Sequence, residues 1–144
     1  MAGFSLKKNL NDVQYRTVRV ASQAYTIGDV VMLDRTSDAI DVVPGTSSTN
    51  TQNVFGVAME TVASSATSLL LALIAPDQEW EVQSANNSNV NYFGYRMLLT
   101  DANTVNNAAT DNTTDEAVCL QVGVIGAAAD QKILVRFLQA AVAA

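Results

Sequence analysis

From Val54 to Val82 the chain reads VFGVAMETVASSATSLLLALIAPDQEWEV, a succession of short apolar runs cut by small polar residues. Val54-Phe55-Gly56-Val57-Ala58 is one run and Leu69–Ala75 a second. Ala63 to Ser68 is a small-polar turn between them, Pro76-Asp77 is a break, and Trp80-Glu81-Val82 is an alternating restart. Short runs bounded by Ser, Pro and Asp are strand signals. Leu69–Ala75 is far below the roughly 18 apolar residues of a membrane span. Leucine and alanine favour helix, so a short buried helix competes there. The β-branched and aromatic neighbours on either side favour a strand buried on both faces, in mid-sheet.

The flanking sequence repeats the pattern. Tyr15–Ala21 alternates, with Val18 and Val20 inward. Val30–Leu33 follows a turn at Tyr25-Thr26-Ile27-Gly28-Asp29, and Ile40–Val43 follows one at Ser37-Asp38. Arg96–Leu99, Ala117–Ile125 and Lys132–Leu138 read as further strands, and 44–51, 84–89 and 103–115 as polar loops. Charged residues are 15% of the chain against a typical ~25%, so Ser, Thr, Asn and Gln must supply the polar surface, as in strands and loops. The expected fold is all-β: a compact β-barrel, β-tulip or sandwich-like body over residues 15–138, an extended N-terminal arm over 1–14 and a short tail over 139–144. A chain of 144 residues, 49% of them hydrophobic, supports a single core.

The chain also echoes itself. Tyr25 to Asp34 and Tyr92 to Asp101 share an order of aromatic, glycine, apolar strand and aspartate. Gly56 follows Gly28 and Gly123 follows Gly94 at similar intervals, each with Val next to it. Two units of one β plan, 25–74 and 92–138, would produce this pattern.

Charge and chemistry narrow the function classes. Residues 1–19 hold Lys7, Lys8, Arg16 and Arg19 against Asp12 alone, a net of +3; the remaining residues hold four basic groups against thirteen acids, a net of −9. An acidic body disfavours nucleic acid, whose phosphates need a basic footprint. No apolar leader stands at the N-terminus, so synthesis and folding in a host cytoplasm without processing, and no membrane partner, are expected. With no histidine and one cysteine, zinc sites and Ser-His-Asp schemes are out, and Cys119 reads as a buried thiol. Glu79 and Glu81 share a strand face at a spacing that overlaps inverting glycosidases, a weak fit. Asp34, Asp38 and Asp41 lack an EF-hand spacing and read as turn formers. Trp80 is either a core aromatic or a sugar platform. No cofactor and no enzymatic activity are expected.

Tyr25-Thr-Ile-Gly-Asp-Val-Val, Val54-Phe-Gly-Val-Ala and the closing Val-Gly-Val followed by Ile133-Leu-Val-Arg-Phe137 resemble the small capsid decoration (cement) proteins of tailed bacteriophages. The resemblance covers roughly residues 20–138. It implies a β-rich body with an N-terminal arm, no catalysis, and trimers or other clusters on a shell of major capsid protein.

The expectation is therefore a structural virion protein on the outer surface of a capsid. Its partners would be the major capsid protein and itself, as a homotrimer or other cyclic oligomer. A head-fibre or tail-associated subunit is the alternative, and a carbohydrate-binding module using Trp80, Tyr92 or Tyr95 a more distant one. No contact residue follows from the resemblance. Charge and apolar spacing in the arm single out Phe4, Leu6, Lys7, Lys8 and Leu10, with Tyr15 and Arg16 beside them, as capsid contacts. Residues 1–14 would stay mobile when free and pair with a neighbouring subunit by strand addition.

Overall fold

Alternation becomes structure wherever one face of a strand meets the core. A computed structural model describes residues 3–8, 12–20, 23–34, 41–44, 54–108 and 117–142. Its strands in chain order are β1 (Ser5–Lys8), β2 (Tyr15–Arg19), β3 (Val30–Asp34), β4 (Asp41–Pro44), β5 (Val54–Ala58) and β6 (Ser68–Leu73). They continue with β7 (Glu79–Ser84), β8 (Arg96–Asp101), β9 (Thr104–Asn106), β10 (Cys119–Ile125) and β11 (Lys132–Phe137). In β7, Trp80, Val82 and Ser84 are buried while Glu79, Glu81 and Gln83 are partly exposed, the period of two that the sequence carries. Among the described residues the helical segments are single 3-10 turns, so the expected all-β class stands. Leu10, Asp38 and residues 45–53 and 109–116 lie outside the described residues.

The strands form two sheets. One has the order β2-β6-β5-β3-β4; the other has the order β1-β7-β11-β10-β8-β9, with β9 also paired to β7. That last pairing is parallel, and it closes β7, β11, β10, β8 and β9 on themselves as a small barrel. With β1 set aside, the two orders are the same: first strand, fifth, fourth, second, third. The first unit is therefore β2–β6 and the second β7–β11, each one strand longer at its start than 25–74 and 92–138. Register follows as well. Val30 and Arg96 each open a strand two residues after a glycine, Gly28 or Gly94. The next residues, Val31 and Met97, pair with Gly56 and Cys119, and those in turn pair with Leu73 and Phe137. One strand further on, Arg16 opposite Leu71 corresponds to Trp80 opposite Val135. Gly56 thus corresponds to Cys119, and Gly123, opposite Leu134, stands apart from it, which corrects the glycine alignment.

Two apolar clusters hold the sheets. The smaller lies inside the first unit: Val20, Tyr25, Val31, Ala58, Leu69 and Leu71, with Val18, Leu33, Phe55 and Val62 against them. The larger fills the second unit around Trp80, Met97, Leu99, Ile133, Val135 and Phe137, and also takes in Val30, Met32, Val57, Ala72 and Ile74 from the other face of the first sheet. Strand β6 is therefore buried on both sides, Leu69 and Leu71 toward one cluster and Ala72 toward the other.

The N-terminal segment is extended but does not stand clear of the body. Ser5 pairs with Glu81 and Leu6 with Trp80, so β1 adds to the edge of β7. Phe4 is 5% exposed and its ring lies 5.2 Å from that of Phe137. Phe4 and Leu6, expected to anchor on another subunit, find apolar partners within the chain, where ring burial and main-chain pairing to β7 together hold the short strand.

Candidate interaction surface

The turn at Gly28-Asp29 ties three segments together. The Phe4 amide donates to the Gly28 carbonyl at 2.8 Å, the Gly28 amide to Ala58 O at 2.8 Å, and the Val30 amide to Ala102 O at 2.7 Å. The buried Asp29 carboxylate accepts from the Thr26 amide at 2.9 Å and from Asn103 Nδ2 at 3.3 Å. Gly28 has φ of +93°, and a Cβ there would meet Gly3 Cα at 3.0 Å, so the joint requires glycine.

This joint holds Ile27 outward over a groove between the two sheets. The groove encloses about 300 Å³ and runs from Phe4 and Leu6 past Tyr15 to Ile27 and Met59. Tyr15, Ile27 and Met59 are 56%, 43% and 36% exposed, large apolar side chains gathered at one opening. The charged residues of its lining are Glu81 and Lys132, while Lys7, Lys8, Arg16 and Arg19 are exposed on β1 and β2 outside that lining. An apolar opening of this kind fits a protein surface that carries apolar side chains.

Of the side chains expected to touch a capsid, Tyr15 is exposed at this opening, and Arg16, Lys7 and Lys8 are exposed outside its lining. Lys7 reaches Glu81 at 3.6 Å. Phe4 is buried and Leu6 is partly buried against the core, and Leu10 lies outside the described residues. Ile27 and Met59 were not legible as surface residues. Each is a single apolar residue beside a turn, and the antiparallel pairing of β3 with β5, continued by the hydrogen bonds of Ala58 with Gly28 and Asp29, brings them together.

The remaining candidates resolve into structure. Trp80 is 1% exposed, its indole N–H donating to Gln78 Oε1 at 3.2 Å, which rules it out as a sugar platform. Tyr92 and Tyr95 stack on each other with centroids 5.0 Å apart, so each covers a face of the other. Glu79 pairs with Arg136 at 2.8 Å and Glu81 with Lys7. Burial pushes the Cys119 thiol up to about 12. Among the described residues no cluster of His, Cys, Asp and Glu could hold a metal, and no helix is long and apolar enough to cross a membrane. A second exposed apolar pair, Val90 and Phe93, each 67% exposed, stands near the Tyr92–Tyr95 stack.

No protein-family model matches the chain, and no curated protein matches it. Among solved structures it is similar to the N base of the head fibre gp8.5 of bacteriophage phi29. The match has a TM-score of 0.55 at 12% identity, over 89% of this chain and 96% of that one. At this identity the likeness is one of fold.

Proposed function

We propose that this chain is a structural protein of a bacteriophage head, seated on the outer surface of the shell through the groove between its two sheets. The observation that carries the reading is the likeness in fold to the base of a phage head fibre, which spans nearly the whole of both chains. The Tyr15, Ile27 and Met59 opening supplies an apolar surface of the kind such a seat needs. The partner is the major capsid protein. As a decoration protein, each copy would contact more than one shell subunit, turning separate weak contacts into a multivalent one and stiffening the shell. A cyclic oligomer, such as a trimer, matches that role.

The base of a head fibre is the second reading, favoured by the same likeness. The two differ in what they do to the shell. A decoration protein raises its resistance to heat and internal pressure, whereas a fibre base leaves that resistance unchanged and carries further mass outward.

Co-sedimentation with heads assembled without this protein tests the common part. The wild-type chain should bind, and Ile27→Glu with Met59→Glu should bind weakly while melting as the wild type does. Absence of wild-type binding would sink the head assignment, and undiminished binding of the variant would move the seat elsewhere. The melting temperature of heads with and without bound protein then separates decoration from fibre base.

A further inference from the structure

The shared strand order of the two units gives β1 no counterpart in the first. In the second unit β1 lies along β7, pairing at Glu79, Trp80 and Glu81. The equivalent residues of β2 are Tyr15, Arg16 and Thr17, and among the described residues no strand pairs with that edge. The main chain there is turned outward. Leu73 N–H donates to Gln14 O and Val20 N–H to Thr67 O, so the even-numbered residues of β2 bond to β6. By antiparallel alternation the N–H and C=O groups of Tyr15 and Thr17 face away from the sheet. The side chains repeat the pattern. Phe4, leading into β1, covers Phe137, whose counterpart Leu73 is only half-buried and lines a hollow of about 370 Å³ with Gln14 and Asp77.

We infer that the outer edge of β2 at Tyr15–Thr17 is a seat for a strand of the shell protein, added to the first unit as β1 is added to the second. Charge decides the occupant's chemistry. β1 sets Lys7 against Glu81. On β2 the position of Glu81 is taken by Thr17, with Arg19 exposed on the same face and Arg16 exposed on the opposite one. The sign is inverted, so the incoming strand carries acidic side chains, with a large apolar residue ahead of them to cover Leu73. Main-chain hydrogen bonds supply the affinity and these side chains the selection.

This inference rests on the head-surface reading, and one experiment separates them. Thr17→Pro removes an outward N–H and no bond to β6, and proline is tolerated on an edge strand. Arg16→Glu with Arg19→Glu reverses the charge without touching the backbone, and it decides the matter if the proline variant does not fold. The expected result is that wild-type protein co-sediments with heads assembled without it. Both variants should bind about tenfold or more weakly at unchanged melting temperature, as expected of a lost strand pairing or charge match. Wild-type binding with undiminished binding of the variants would overturn the seat and leave the head reading standing. Absence of wild-type binding would remove both. Light scattering that shows wild-type oligomers and monomeric Thr17→Pro would assign the edge to a second copy of this chain and overturn the shell protein as occupant.

Discussion

The ring of Phe4 lies 5.2 Å from that of Phe137 at an angle of 34°, joining the first described residues of the chain to its last strand. Phe137 in turn meets Trp80 edge-on at 6.3 Å. The three rings close one end of the second unit, and β1 is held there by its own core contacts.

Phe4→Ala should therefore destabilise the folded chain by about 3–5 kcal/mol, the range for deleting a buried aromatic. Denaturant unfolding measures it, and a loss under about 1 kcal/mol would mean that β1 is only laid against the body.

Leu71 and Leu73 alternate on the same strand but not in the same surroundings. Leu71 is 0% exposed inside the first unit, whereas Leu73 is half-buried at a hollow. Leu71→Ala should cost about 2–5 kcal/mol and Leu73→Ala distinctly less. Equal losses in thermal or denaturant unfolding would show that the end of the first unit is as closed as its middle.

Much of this arrangement is legible in the sequence. The unbroken run from Leu69 to Ile74 announces a strand with apolar side chains on both faces, because each side of it has a cluster to fill. Alternation in Glu79–Ser84 gives β7 its inward side. What alternation cannot tell is whose sheet a strand joins. Ser5–Lys8 has the pattern of an edge strand, and that pattern is the same whether the edge belongs to this chain or to another. Glycine spacing misled for a related reason. The connections between strands differ in length in the two units, so Gly56 has Cys119 as its partner in register despite the likeness of the sequence around Gly123. Ile27 and Met59 belong to turns far apart in the chain, and their meeting depends on β3 pairing with β5, a long-range register that neither turn announces.

Cys119 is fully buried, and its pKa is raised from 9.0 to about 12 by desolvation. A thiol that stays protonated does not react, so labelling by a thiol reagent near pH 8 should proceed only as fast as the protein opens. The linked effect on stability has a definite sign. It is absent below the unfolded value of 9.0; above it the unfolded chain ionises first, and stability falls as pH rises toward about 12. Cys119→Ala should flatten that part of the profile. Rapid labelling of the native protein would show an accessible, ionisable thiol instead.

Gly28 offers a sharper backbone test. Its φ of +93° and the approach of Gly3 leave no room for a Cβ. Gly28→Ala should cost about 1–3 kcal/mol through strain at the joint between β1 and the first unit. Amide exchange should show the loss first at Gly3 and Phe4, whose amides bond to Asn103 O and Gly28 O. Uniform loss across the molecule would mean that the turn stabilises the whole fold equally.

The two carboxylates of β7 should differ in weight. Glu81 meets Lys7 at 3.6 Å, and the lysine side chain is 48% exposed. Such a pair gains little in water, and holding a long side chain in place opposes even that, so Lys7→Met should change stability by about 0.5 kcal/mol or less. Glu79 meets Arg136 at 2.8 Å with its own side chain only 18% exposed, and the guanidinium Nε is buried without another partner. Removing the charge of Glu79 leaves part of that guanidinium desolvated and less well matched, and an unmatched donor costs more than a surface pair gains. Glu79→Gln should therefore cost about 1 kcal/mol or more, and the loss should persist at high salt, where an exposed pair is screened. Equal small losses for both variants, both vanishing in salt, would show that Arg136 reaches water when Glu79 is neutral.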